Sequence, residues 1–115
     1  MVFKDQQFAV SLADTVVRWL VPQNGILDAV RVPVNGTVTF SWTSLHDLWE
    51  IPSAQCPTTF TNGSGITQIA RQTTGGTATL TFPQERVRYF ACSVSNHCSQ
   101  GICLQHYFIT LDASG

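Results

Sequence analysis

Apolar and polar residues alternate over short runs along most of the chain, the two-residue period of half-buried strands, so regular structure reads as β almost everywhere. Phe8-Ala9-Val10 and Val16-Val17-Arg18-Trp19 are the first such runs. Ala29-Val30-Arg31-Val32-Pro33-Val34 and Thr37-Val38-Thr39-Phe40-Ser41-Trp42 flank Asn35-Gly36, a pattern and turn chemistry that predict paired strands. Gly75-Gly76 then leads into Thr77-Ala78-Thr79-Leu80-Thr81-Phe82, where Ala78, Leu80 and Phe82 share one face and three threonines the other. Pro83 stops that strand. Val87-Arg88-Tyr89-Phe90-Ala91-Cys92 resumes, and Gln105-His106-Tyr107-Phe108-Ile109-Thr110-Leu111 reads as the last strand. The one helical candidate is the polar stretch from Ser64 to Gln72, a turn or two at most. Short strands separated by turns predict an all-β Greek-key sandwich or small barrel, a single domain over residues 1–115.

Composition narrows the functional classes. A chain of 115 residues buries about two-thirds of its unfolded surface, enough for a real core. With 43% hydrophobic residues and 11% charged ones, disorder is excluded. A net charge of -1 lacks the basic surplus with which a duplex or anionic-membrane binder neutralises phosphate. No apolar run is long enough to span a bilayer as a helix. Met1 is followed by neither a basic nor an apolar leader, and the expectation is a secreted chain whose signal has been removed. Two sequons point the same way, Asn35-Gly36-Thr37 and Asn62-Gly63-Ser64, both in turn-like contexts where a glycan would be accessible.

The chemistry concentrates near the C-terminus. Of four cysteines, Cys92, Cys98 and Cys103 fall in one short stretch with His97 and His106. His46 follows the strand ending at Trp42, and His97 follows Cys92 by five residues, a spacing that a loop between two strands can fold into one site. Two imidazoles and one thiolate with a weak or missing fourth donor suit copper in both oxidation states. A zinc site would favour four strong donors, and drawing them from Cys92, His97, Cys98, Cys103 and His106 would strand Cys56 and ignore His46. Four cysteines allow three complete pairings, which spacing leaves open.

The segment Tyr89-Phe90-Ala91-Cys92-Ser93-Val94-Ser95-Asn96-His97-Cys98-Ser99-Gln100-Gly101 resembles the copper-binding loop of the phytocyanins, the stellacyanin, plantacyanin and uclacyanin branch of the cupredoxins, and His46-Asp47-Leu48-Trp49-Glu50-Ile51 resembles the segment with their first histidine. The resemblance covers about Gly36 to Leu111. It implies a cupredoxin-type Greek-key fold, one type 1 copper held by His46, Cys92 and His97, and a disulfide between Cys56 and Cys98, leaving Cys103 without a task. It also implies single-electron transfer with a redox partner protein or small molecule, by a monomeric, secreted or cell-surface chain that is not an enzyme. Cell-surface glycoprotein and copper carrier or store are the alternatives on the same fold.

At the axial position, where the family usually has Met or Gln, this sequence has Ile102, which has no donor atom; Gln100 and Gln105 are out of step with that position. The departure implies a raised reduction potential. Asp47, beside the first histidine, either accepts a hydrogen bond from Ser93 and so ties two ligand segments together, or is a solvated surface acid. The low net charge implies weak, brief docking around the edge of His97.

Overall fold

The computed structural model describes residues 14–20, 30–94 and, for the backbone alone, 105–110. They form six strands: β1 (Asp14–Arg18), β2 (Val30–Pro33), β3 (Thr37–Ile51), β4 (Thr67–Thr81), β5 (Val87–Ala91) and β6 (Gln105–Thr110). The hydrogen-bonded order is β1-β3-β5-β6-β2, with β4 paired to β3. β1 with β3 and β2 with β6 run parallel, and the other pairs are antiparallel. Among the described residues no helix is long and apolar enough to cross a membrane. The segment Phe8 to Val10 lies outside the described residues.

β3 organises the sheet. Its first part, Thr37 to Ser41, pairs with β1, and its last three residues pair with β5. Phe90 of β5 is registered with Glu50, ten residues along β3 from Phe40, a separation of about 33 Å in a straight strand. Yet the Phe40 and Phe90 rings lie 4.9 Å apart. The strand therefore folds back over itself, and the core lies in the fold. Trp19, Val32, Val38, Phe40, Trp42, Leu48, Phe82, Phe90, Cys92 and Val94 fill it. A smaller cluster of Trp49, Ile51 and Ala91, flanked by Phe60, Ile66 and Tyr89, packs separately.

The bend is made by bulges. The β3–β4 register shifts between Trp42 and Leu45, between His46 and Leu48, and again between Leu48 and Trp49. Buried and partly exposed positions alternate up to Trp42; then Thr43, Ser44 and Leu45 are exposed together and His46, Asp47, Leu48 and Trp49 are buried together. A bulge adds an unpaired residue and re-aims the side chains around it, and here it turns His46 and Asp47 inward. Gly76, registered with Trp42, permits the close packing at this point. A Cβ on it would lie 2.7 Å from Trp42 Cζ2 and 3.0 Å from Thr73 Oγ1. The indole has little freedom to retreat, because its N–H donates to the Thr73 carbonyl at 3.2 Å. Gly76→Ala is expected to cost about 1–3 kcal/mol, the usual penalty of overpacking. A denaturant midpoint equal to that of the wild type would refute it.

Two local expectations are corrected. The stretch from Ser64 to Gln72 is not helical: it enters β4, which runs straight through Gly75-Gly76. A tight turn with positive φ at Gly63, Ser64 and Gly65 starts the strand, closed by reciprocal hydrogen bonds between Gly63 and Ile66 and by the Gln68 N–H on Asn62 Oδ1 at 2.9 Å. Pairing with the bulged β3 doubles up its half-buried positions at Ile69-Ala70 and Gly75-Gly76, which hides the two-residue period. The second correction concerns Asn35-Gly36. The turn forms, with Asn35 at φ 70° and the Gly36 N–H on the Pro33 carbonyl at 2.8 Å, but β2 and β3 do not pair with each other. Instead Asn35 N–H donates to the Phe82 carbonyl and Phe82 N–H to the Gly36 carbonyl. The turn is stitched to the end of β4, and β2 leaves to join β6.

Candidate metal centre

The bulged part of β3 and the residues after β5 bring two of the expected ligands together. His46 is 2% exposed and Cys92 is fully buried. His46 Nδ1 faces Cys92 Sγ at 3.5 Å. Its other ring nitrogen, Nε2, lies 3.0 Å from Ser44 Oγ. In the tautomer that donates Nε2–H to that hydroxyl, Nδ1 turns its lone pair towards the sulfur, the arrangement that orients a metal-binding imidazole. Ser44 had no sequence signal beyond its place two residues before His46.

The sulfur is held as closely. It accepts N–H donation from Val94 at 3.5 Å and from the Asp47 backbone. Burial pushes the Cys92 thiol from 9.0 up to about 12; the Asp47 negative charge acts in the same direction, and the two backbone N–H groups act against both. Only a cation beside the sulfur would make it a thiolate at neutral pH.

Asp47 links the segments carrying the two donors. Buried at 3% exposure, it is no solvated surface acid. Its Oδ1 accepts the Ser93 N–H at 2.7 Å. Its Oδ2 accepts the Ser93 hydroxyl at 2.5 Å and the Trp49 indole N–H at 3.0 Å. Extending the Trp49–Ala91 register by two residues sets Asp47 opposite Ser93, so the contact follows from strand pairing. The Asp47 carbonyl accepts the Trp19 indole N–H at 2.8 Å. That bond joins residues 28 apart in sequence, and no local pattern signals it.

His97, Ile102, Cys98 and Cys103 lie outside the described residues, as do the side chains of Gln105 and His106. Among the described residues no group of three or more His, Cys, Asp or Glu assembles into a metal-binding cluster. The expected Cys56–Cys98 pairing is not seen among the described residues, since Cys98 is not one of them. What the structure shows is narrower, Cys56 disulfide-bonded and Cys92 a free, buried thiol. Both sequon asparagines are exposed, and Asn62 spends its Oδ1 on the turn before β4.

The donors fit a small transition-metal ion. Bonds of about 2.0 Å to nitrogen and 2.3 Å to sulfur would span the 3.5 Å between Nδ1 and Sγ at an angle close to tetrahedral. No protein-family model matches the sequence, and no curated protein does. Solved structures do match. Auracyanin B is similar with a TM-score of 0.56 at 13% identity, over 85% of this chain and 88% of that one. Reduced rusticyanin gives 0.55 at 15% identity, over 89% and 82%. A purple cupredoxin from Nitrosopumilus maritimus gives 0.51 at 17% identity, over 85% and 99%. The fold is that of the cupredoxins. The long bulged strand that buries His46 beside Cys92 is thus part of a cupredoxin frame.

Proposed function

We propose that the chain carries single electrons at one copper ion held by His46, Cys92 and His97, as a phytocyanin-like cupredoxin. The observation that supports this best is the buried approach of His46 Nδ1 to Cys92 Sγ at 3.5 Å within that fold. Copper bound there would supply the one-electron couple, and two imidazoles with one thiolate accommodate both of its oxidation states. Every other part of the work belongs to the chain. Ser44 fixes the His46 ring, and the N–H groups of Asp47 and Val94 fix the sulfur and withdraw charge from it. The bulges of β3 and the Asp47–Ser93 bonds hold the two ligand segments in one arrangement, so little has to move when the charge changes. The core around Leu48, Phe90 and Val94 keeps water away from Cys92.

The role is that of a carrier and not of an enzyme, in keeping with the likeness to auracyanin and rusticyanin. Its partner would be a redox protein or a small reductant or oxidant, met by a secreted monomer whose net charge of -1 gives docking a mild salt dependence. Exposed Asn35 and Asn62 would carry glycans. Titration with Cu(II) is expected to give one equivalent of binding and an intense blue absorption; a protein that stays colourless would end this reading. An axial Ile102, as the resemblance to the phytocyanins implies, would offer copper no donor and so would favour Cu(I). Ile102→Gln is therefore expected to lower the midpoint potential, and a potential that held or rose would count against that assignment.

A further inference from the structure

The donors around Asp47 ask for more than a hydrogen-bonded tie between two loops. An asparagine could make the tie: its oxygen would accept the Ser93 N–H, and its NH2 group would donate to the Ser93 hydroxyl. The third donor excludes that exchange at no cost. Trp49 Nε1–H points at the same Oδ2 that takes the Ser93 hydroxyl, so an NH2 group there would face another N–H. The Trp49 ring is held in the second cluster, 5.5 Å from the Phe60 ring, and cannot swing clear without repacking. Three donors converge on two oxygens that serve only as acceptors, the inventory of a carboxylate anion.

That anion sits in the dry interior between the segments bearing His46 and Cys92. Its charge already bears on the Cys92 sulfur, and charges interact strongly where water is excluded. We propose that Asp47, as a fixed buried anion, sets the reduction potential of the centre, beyond tying the ligand segments together. The inference rests on the copper reading above. A negative charge favours the more positive oxidised state and draws the potential down.

The test compares copper-loaded wild type, Asp47→Asn and Trp49→Phe by spectroelectrochemical titration. Asp47→Asn is expected to cut the oxidised-to-reduced ratio at a fixed electrode potential about tenfold, an upward shift of about 59 mV for one electron. Trp49→Phe removes a donor but keeps the charge, and its potential is expected to hold or fall. An unchanged or lower potential in Asp47→Asn overturns the proposal. So does a rise in Trp49→Phe equal to that in Asp47→Asn, which would make the effect a loosened frame. A second readout needs no redox couple: Asp47→Asn is expected to lose affinity for Zn(II) about tenfold more than for Cu(I), and equal losses argue against a charge effect. If the wild type binds copper without blue absorption, the electron-carrier reading fails by itself, and the Zn(II) to Cu(I) ratio still decides the role of Asp47.

Discussion

Cys92→Ser is expected to abolish the blue absorption and to lower copper affinity by far more than about a hundredfold, since even changes to groups that only support a ligand cost about 10–100-fold. The fold should survive. A hydroxyl is close in size to the thiol and can accept the same N–H groups of Asp47 and Val94. The variant also isolates a pH effect in the metal-free protein. Folding raises the Cys92 value from 9.0 to about 12, so the folded state favours the protonated thiol. The resulting stability is fully present below pH 9 and is lost as pH climbs from there towards 12. Metal-free wild type should lose about 1.4 kcal/mol per pH unit in that window, a slope that Cys92→Ser removes. Denaturation of both proteins at pH 8 and pH 10 checks it, and parallel losses would sink the idea. Copper loading should abolish the slope in the wild type too, because the bound sulfur has already lost its proton.

How much of this was legible beforehand depends on how local each signal is. The strands around Thr37 to Trp42, Thr77 to Thr81 and Val87 to Ala91 alternate cleanly, and the structure has strands there. His46 and Cys92 were readable as partners because residue type and order carry the information, and the fold places them in contact. The bulges were not readable. Thr43-Ser44-Leu45 gives no hint that the strand face is about to change; the shift arises from pairing with β4, thirty residues farther on. Asn35-Gly36 signalled its turn correctly and its strand partners wrongly, because turn chemistry sets the local backbone while Phe82, from another strand, decides where the chain goes next. The Ser64 to Gln72 stretch failed for a related reason: polar residues on a bulged edge show no period of two, and without it a short strand and a helical turn look alike. The indoles of Trp19 and Trp49 show the same limit in side chains. Their bulk announced burial, and only the packed structure shows where the N–H groups point.

The largest loss of stability from a single surface-distant change is expected at Arg88, the one cationic side chain buried among the described residues. Its Nε and Nη2 form a two-pronged pair with Glu50 at 2.8 and 2.7 Å, and Nη1 donates to the Thr81 carbonyl at 3.2 Å. The guanidinium lies 4.4 Å from the Phe82 ring centre and 5.4 Å from that of Phe90. Arg88 thus fastens the end of β3 to the end of β4 and lays its cation against the core. Arg88→Met keeps much of the apolar bulk but leaves Glu50, only partly exposed, facing Arg86 alone at 3.9 Å. Removing one partner of a buried pair costs about 3–5 kcal/mol, because the remaining charge stays desolvated. At about 4 °C or more per kcal/mol for a domain of this size, the midpoint of thermal unfolding should fall by at least about 12 °C. The double variant Arg88→Met/Glu50→Leu should recover most of the loss, since a well-packed apolar pair can replace a buried ion pair at little cost. A single variant within 1 kcal/mol of wild type would contradict the argument, as would a double variant no more stable than the single one. Cys92 follows Arg88 by four residues, but it is fixed by its own bonds to Asp47 and Val94, so both variants should keep the blue absorption at low temperature.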